Sequence, residues 1–256
     1  MALNNGYCGQ TRWKLALLLG KLKNYDRAFG LGSFMKIVET VALLGRGAFA
    51  QSAEWKAIRD TIHSAIKQAE WPVGSGSFNI YPESGKKSGH GNGVVPIKAK
   101  PMKVLKDAGW TLEYPWKVAT TTGVTGSKRK GSKPGDIDAA KQFDHGLVVV
   151  EWETGNISSS HRAINKMALG LVAKKCVAGV LIVPNMRLAQ YLTDRIGNIE
   201  EIRPYIPLWE NLSVAEGVLE LVVIEQDGES IDSPKIPKGK DGRAAEGLLA
   251  ALLQKS

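Results

Sequence analysis

Residues 134–156 read PGDIDAAKQFDHGLVVVEWETGN, and this stretch decides the fold. It contains two strand candidates, Asp136–Lys141 and Leu147–Glu153, which are separated by the turn-forming residues Asp144-His145-Gly146. Aspartate and glycine favour a tight reversal of the chain. The two strands are therefore predicted to pair as an antiparallel hairpin.

The register of this hairpin brings carboxylates together. Counting outwards from a two-residue loop at 144–145 places Asp138 opposite Glu151 and Asp136 opposite Glu153. Directly opposed side chains of an antiparallel pair lie about 5 Å apart. Glu151 and Glu153 also share one face of their strand, because residues two apart point the same way. A longer loop would shift this register.

Carboxylates at the end of an apolar strand are costly to bury unless a positive charge neutralises them. The run LVVV at 147–150 precedes Glu151 and Glu153 directly. A divalent cation suits such a site, because hard cations prefer oxygen ligands. We therefore expect Asp138, Glu151 and Glu153 to bind Mg²⁺, for which Mn²⁺ can substitute. The alternative is that these are ordinary solvated carboxylates at a strand end.

The residues after the hairpin predict a strand–helix–strand unit. The serines at 158–160 can cap a helix, and apolar residues recur at helical spacing from Ile164 to Val172. The wholly apolar run VAGVLIVP at 177–184 then reads as a buried strand. Two strands joined by a helix lie parallel in a sheet. The fold class is therefore α/β, with a mixed central sheet flanked by helices.

The rest of the sequence shows neither an internal repeat nor a clear linker between domains. We expect one domain over 1–256, with a helical N-terminal portion at 1–70. Apolar stripes predict helices that include Leu15–Leu22, Phe34–Leu44 and a helix capped by Ser52. The remaining predictions are strands at 78–81, 110–114 and 217–225 and helices at 97–108, 186–196 and 244–253.

The charge balance favours a polyanionic partner. The 256 residues contain 34 Lys and Arg against 25 Asp and Glu, a net charge of +9. Such a surface suits nucleic acid first and an anionic membrane second, although it also serves plain solubility. Cys8 and Cys176 are the only cysteines, so neither a disulfide framework nor a zinc site is indicated. The apolar run at 15–19 is too short to cross a bilayer, and we expect a soluble cytoplasmic protein without a membrane partner.

The order of these features resembles a known family. An aspartate, a hairpin turn, an apolar strand ending in Glu-x-Glu and a following helix are typical of the PD-(D/E)xK nucleases. IDAAKQFDHGLVVVEWETGN at 137–156 is most similar to the BamHI and BglII branch of the type II restriction endonucleases. The resemblance covers about residues 97–210, within an expected catalytic core at 97–226. It implies a restriction-endonuclease-like fold and metal-dependent, sequence-specific cleavage of double-stranded DNA.

The resemblance also implies roles for the carboxylates. Asp138 and Glu151 would be metal ligands, and Glu153 would act as the general base or orient the attacking water. This branch has Glu or Gln where other members carry a lysine, and Glu153 occupies that position. Asp136 follows Pro134-Gly135 and is the alternative to Asp138. Lys141 and Lys166 are candidates for the missing positive charge, although each could equally be an ordinary surface lysine.

Residues near the site and in two basic loops are candidates for DNA contacts. A helix N-terminus suits a phosphate, and polar side chains beside the apolar stripe can reach bases or backbone. The alternative is a solvated helix face. The candidates are Lys86, Lys87, Lys128, Arg129, Lys130, Ser158, Ser160, His161, Arg162, Asn165 and Lys166. Because one chain carries one site, a double-strand break predicts a homodimer, with helices around 33–66 as its surface.

Three other functions compete with cleavage at a specific sequence. A DNA-binding protein of the same fold that does not cut would bind without hydrolysis, and a repair nuclease would recognise structure instead of sequence. A glycosidase also uses paired carboxylates, but two glutamates on one strand face are too close for that geometry. The sequence therefore favours a restriction endonuclease.

Overall fold

The computed structural model describes residues 35–87, 90–116, 135–153, 155–193 and 196–238. Its centre is a six-stranded mixed sheet in the order β1-β7-β6-β5-β4-β3. The strands are β1 (Met35–Arg46), β3 (Thr111–Tyr114), β4 (Ile137–Gln142), β5 (Leu147–Trp152), β6 (Ala178–Pro184) and β7 (Gly217–Gln226). The short strands β2 (Asn79–Ile80) and β8 (Gly228–Glu229) pair in parallel as a second sheet. The predicted α/β class is confirmed.

Helices cover both faces of the large sheet. They are α1 (Gly47–Ala50), α2 (Ala53–Ile66), α3 (Val95–Asp107), α4 (Ile157–Val172), α5 (Met186–Ala189), α6 (Ile199–Ile202) and α7 (Ile206–Glu210), with a 3-10 turn at Arg203–Tyr205. The apolar residues of α2 and α3 belong to one buried cluster, and those of α4 belong to a second. Val222 lies in the first cluster and Val223 in the second, which shows how β7 alternates between the two faces. No helix of the described residues is both long and apolar enough to span a membrane.

The strand–helix–strand unit is confirmed. β5 and β6 pair in parallel, with Val150 beside Val180, and α4 connects them. The start of α4 differs from the prediction, because Asn156 and not a serine is its cap. The Asn156 side chain accepts a hydrogen bond from the Ser159 N–H at 3.2 Å. This cap places the first turn of α4 directly after the carboxylate-bearing strand.

The predicted helix over Phe34–Leu44 is wrong, because Met35–Arg46 forms the edge strand β1. It pairs antiparallel with β7, with Val41 beside Leu221 and Thr40 beside Val222. Ile37 and Val41 are four residues apart, which satisfies both the helical period and the strand period. The spacing therefore allows either a helix or a strand, and pairing with β7 makes this segment a strand. Helix formation at 53–66 is confirmed, whereas the predicted helices over Leu15–Leu22 and at 244–253 lie outside the described residues.

The predicted helix at 186–196 is mostly wrong. The helix α5 ends at Ala189. The N–H groups at 190–192 still donate to carbonyls three or four residues earlier, but the backbone then bonds to a distant loop. The Thr193 N–H donates to the Asn92 carbonyl at 2.9 Å, and the Asn92 N–H donates to the Tyr191 carbonyl at 2.7 Å. These tertiary hydrogen bonds replace the helical ones.

Candidate active site

The hairpin of β4 and β5 has the predicted register. Ala139 pairs with Val150 and Gln142 pairs with Leu147. Phe143 and Gly146 exchange backbone hydrogen bonds of 2.9 and 3.2 Å, which close the two-residue loop. In this register Asp138 comes next in line and faces Glu151.

Backbone amides hold the two carboxylates. The Trp152 N–H donates to Asp138 Oδ2 at 2.8 Å, and the Asp138 N–H donates to Glu151 Oε2 at 3.3 Å. Each carboxylate is thus oriented by the strand that carries the other. Asp136 is exposed, and its backbone carbonyl, not its carboxylate, is bonded to Lys166. The geometry therefore pairs Asp138, and not Asp136, with Glu151.

Two lysines neutralise these carboxylates from opposite sides. Lys98 of α3 places its Nζ atom 2.8 Å from Asp138 Oδ1, and Lys166 of α4 forms an ion pair with Glu151. The Lys166 ammonium also donates to the Asp136 carbonyl at 2.8 Å. Lys141, the other lysine considered from the sequence, instead donates to the Ala108 carbonyl at 2.6 Å. Of those two lysines, only Lys166 is paired with the carboxylates.

The sequence analysis missed Lys98. It lies in the segment PIKAKPMK at 96–103, where no feature distinguishes it from the neighbouring lysines. Only the packing of α3 against β4 brings its side chain to Asp138.

Burial controls the electrostatics of the site. Desolvation raises the pKa of Glu151 to about 7, the nearby Asp138 charge adds to the rise, and Lys166 opposes it. Desolvation also disfavours the charged form of Lys98. However, the charge of Asp138 and its hydrogen bond outweigh desolvation and raise the pKa of Lys98. The site therefore combines a carboxylate that ionises reluctantly with a lysine that keeps its proton.

Glu113 is a second residue that the sequence analysis missed. In β3 it lies between Leu112 and Tyr114, which pair with Ala139 and Ile137, so it stands beside Asp138. Its φ of 48° is unusual for a residue with a side chain, and such conformations concentrate at functional sites. Its charge contributes to the raised pKa of Lys98. The alignment of three strands, which the sequence does not reveal, is what brings Glu113 to this place.

A polar cleft of about 320 Å³ opens over the carboxylates. Asp138, Glu151 and Glu153 line it together with Lys98, Lys166 and Arg162. Glu153 lies just beyond the end of β5, where its carboxylate accepts a hydrogen bond from the Gly155 N–H. The three predicted carboxylates thus share one cleft.

The donor set fits a hard divalent cation. Within the described ranges, no group of three or more His, Cys, Asp and Glu side chains is already arranged around a metal position. However, Asp138 and Glu151 present oxygen atoms to a polar cleft, and both already attract positive charge. Among the described residues, buried Glu151 Oε1 has the Lys166 ion pair but no regular hydrogen bond. Asp138 and Glu151 would be the ligands, with Glu153 within the same cleft.

The residues predicted to contact DNA fall into four groups. Arg162 lines the cleft, and Ser158, Lys86 and Lys87 are exposed. Ser160 and Lys166 are buried, and of these two Lys166 lines the cleft. His161 packs against the rings of Tyr205 and Trp209, and Asn165 accepts a hydrogen bond from Trp209 Nε1 at 3.0 Å. Lys128, Arg129 and Lys130 lie outside the described residues.

Comparisons with known proteins show the family to which the chain belongs. The family model of restriction endonuclease BamHI matches residues 35–243. The chain is 42% identical over 187 residues to the type II restriction enzyme OkrAI of Oceanobacter kriegii, covering 73% of this chain and 89% of that protein. It is 34% identical over 217 residues to the type II restriction enzyme BamHI of Bacillus amyloliquefaciens, covering 82% and 91%. The structure of restriction endonuclease BglII complexed with a DNA 16-mer is similar at a TM-score of 0.51 and 14% identity, over 75% of this chain and 79% of that one.

The fold is that of a restriction endonuclease. The chain belongs to the BamHI restriction endonuclease family, whose members are type II enzymes. It is therefore a sequence-specific endonuclease that acts on double-stranded DNA. The family generally uses divalent metal ions.

Proposed function

We propose that this protein hydrolyses DNA in a Mg²⁺-dependent reaction at the cleft formed by Asp138, Glu151 and Glu153. The observation that carries the proposal is the cross-strand pair of Asp138 and Glu151, which two backbone hydrogen bonds hold at the rim of a polar cleft. Such a pair supplies the oxygen ligands that Mg²⁺ prefers. The net charge of +9 favours the polyanionic substrate.

Other residues of the cleft activate the water and bind the DNA. A bound divalent cation supplies charge neutralisation on the phosphate and lowers the pKa of water. Glu153 lies next to the ligand pair and orients the attacking water or accepts its proton. Arg162 lines the same cleft from the exposed side of α4 and binds the phosphate backbone.

Cleavage of a sequenced supercoiled plasmid tests this proposal. The protein should cut with Mg²⁺ or Mn²⁺, and Ca²⁺ should support binding without cutting. Glu151→Ala and Glu153→Ala should each abolish cleavage while DNA binding persists. Asp60→Ala removes an exposed carboxylate of α2 that is paired with Lys56 of the same helix, and serves as the control that should cut normally. Full cleavage in EDTA, or by Glu151→Ala, would refute the proposal.

The same experiment separates the alternatives. Mapped ends at one short sequence support a restriction enzyme, whereas cuts at junctions or flaps of any sequence would indicate a repair nuclease. Binding without any cut would indicate a DNA-binding protein of this fold. Restriction of incoming DNA also implies a cytoplasmic location, which we retain as part of the proposal.

We further propose that the protein acts as a homodimer, through a surface other than the one suggested by the sequence. The apolar stripe of α2 is not available, because Trp55, Ile58 and Ile62 are buried in the core. A group of exposed apolar residues occurs on α4 and in the 203–210 segment. They are Leu169, Val172, Tyr205 and Leu208, with exposed fractions of 37, 51, 46 and 67%.

These residues belong to neighbouring elements. His161 of α4 packs edge-on against Tyr205, with ring centroids 4.5 Å apart, and Asn165 is bonded to Trp209. Apolar side chains grouped on an exposed surface mark interaction sites. A second copy is the occupant that a two-strand cut requires.

Mass in solution tests the dimer. Light scattering should give about twice the 27.7 kDa of the chain. Leu208→Glu should shift the protein towards the monomer, whereas Ile231→Glu should not, because Ile231 is 78% exposed outside this surface. A wild-type protein that stays monomeric at micromolar concentration, with or without DNA, would contradict the proposal.

A further inference from the structure

Two lysine ammonium groups are already paired with the carboxylates that a divalent cation would need as ligands. The side chains of Lys98 and Lys166 are only 16% and 7% exposed, and those of Asp138 and Glu151 are 15% and 10% exposed. Each lysine is paired with a different carboxylate. The Asp138 and Glu151 pair is therefore already matched by two ammonium groups of the protein itself.

The lysines are not what orients the carboxylates. Asp138 keeps the hydrogen bond from the Trp152 N–H at 2.8 Å, and Glu151 keeps the one from the Asp138 N–H at 3.3 Å. Both donors belong to the paired backbone of β4 and β5, which does not depend on α3 or α4 side chains. Removal of a lysine charge should therefore leave the carboxylates in place.

We propose that Lys98 and Lys166 are resident counter-charges that compete with the divalent cation for Asp138 and Glu151, and that the DNA phosphate releases them. This inference rests on the proposed function, because it takes those two carboxylates as the metal ligands. Without DNA, a cation must displace ammonium groups that are already bound, so the site takes up metal weakly.

Bound DNA changes this balance. Lys98 lines the cleft together with Arg162. A phosphate that enters the cleft is therefore a second anionic partner for the Lys98 ammonium group. When Lys98 turns towards the phosphate, its hold on Asp138 weakens and the carboxylate becomes available to the cation. Metal and DNA should therefore each strengthen the binding of the other, as linkage requires. The device would restrict the metal-loaded state to protein that already holds DNA.

Calorimetric titration of the DNA-free protein with Ca²⁺ tests the competition. Lys98→Met keeps most of the side-chain volume and removes the charge. It should tighten Ca²⁺ binding by at least about tenfold, which corresponds to ~1.4 kcal/mol. Lys98→Arg keeps the charge and should bind Ca²⁺ as weakly as the wild type. Lys100→Met is the matched control, because Lys100 lies on the same helix and is paired with Glu70 instead of Asp138.

A second measurement uses a DNA duplex that contains the cleavage site mapped on the plasmid. In the wild type, Ca²⁺ should strengthen DNA binding, and Lys98→Met should reduce this strengthening because the cation no longer competes with the lysine. A merely structural lysine would lower the melting temperature without tightening Ca²⁺ binding. Unchanged or weaker Ca²⁺ binding by folded Lys98→Met would overturn the inference.

Failure of the proposed function has a different signature. In that case Ca²⁺ binding, where it occurs, would persist in Asp138→Asn and Glu151→Gln, because other groups would be the ligands. If Ca²⁺ binds to neither the wild type nor Lys98→Met, the competition inference is also wrong. If Lys166→Met folds, its Ca²⁺ binding should tighten in the same direction as that of Lys98→Met.

Discussion

Glu151→Gln should stabilise the metal-free protein at alkaline pH. In the folded protein, burial and Asp138 raise the pKa of Glu151 to about 7 from the ordinary 4.5. Between these two values the folded protein retains a proton that the unfolded chain has lost. Rising pH therefore lowers the free energy of unfolding across this window, and the loss is complete above the folded pKa.

The size of the effect follows from the width of the window. One pKa unit corresponds to ~1.4 kcal/mol, so the ionised Glu151 side chain costs about 3 kcal/mol of folding free energy. Glutamine carries no proton that can be lost, and it resembles the protonated carboxyl group in size and polarity. For a domain of this length, the gain at pH 8.5 amounts to roughly 6–12 °C in melting temperature.

Urea denaturation in EDTA at pH 5 and pH 8.5 measures the effect. The variant should match the wild type at pH 5 and exceed it at pH 8.5. Ca²⁺ at pH 8.5 should narrow the difference, because it stabilises the ionised ligand of the wild type but not the glutamine. If the variant is less stable than the wild type at pH 8.5, the ion pair of Glu151 with Lys166 outweighs burial and the reasoning is refuted.

Three further predictions concern packing, capping and DNA affinity. Gly170→Ala should reduce the free energy of unfolding by up to about 2 kcal/mol, because its Cβ would lie 2.6 Å from the Trp116 ring. Gly45→Ala is the control: its Cβ would have no atom within 4 Å, so the free energy of unfolding should not fall. Ser52→Ala should cost about 1 kcal/mol in the same assay, since Ser52 Oγ caps α2 by accepting the Trp55 N–H at 3.0 Å, and an unchanged value would contradict this role. A plot of the logarithm of the DNA-binding constant against that of the salt concentration should have a slope of roughly −5. Alanine at 128, 129 and 130 together should make this slope less negative by about 2–3. An unchanged slope would show that this loop does not contact the DNA backbone.

The local pattern predicted the centre of the site. A two-residue turn at Asp144 and His145 determines the hairpin register, and the register places Asp138 opposite Glu151 without further information. Apolar runs of strand length likewise predicted β5, β6 and β7, because buried strands need such residues on both faces. These features depend on residues close together in the chain.

Long-range packing decided the rest. Met35–Arg46 became a strand because it pairs with β7, about 180 residues further along the chain. Lys98 reaches Asp138 only because α3 packs beside β4, and Glu113 stands beside Asp138 only because β3 pairs with β4. The local spacing of apolar residues does not show which distant elements pair or pack with a segment. The sequence by itself therefore determined which carboxylates share a hairpin, whereas the tertiary structure decided which cations neutralise them, because that depends on how separate elements are packed.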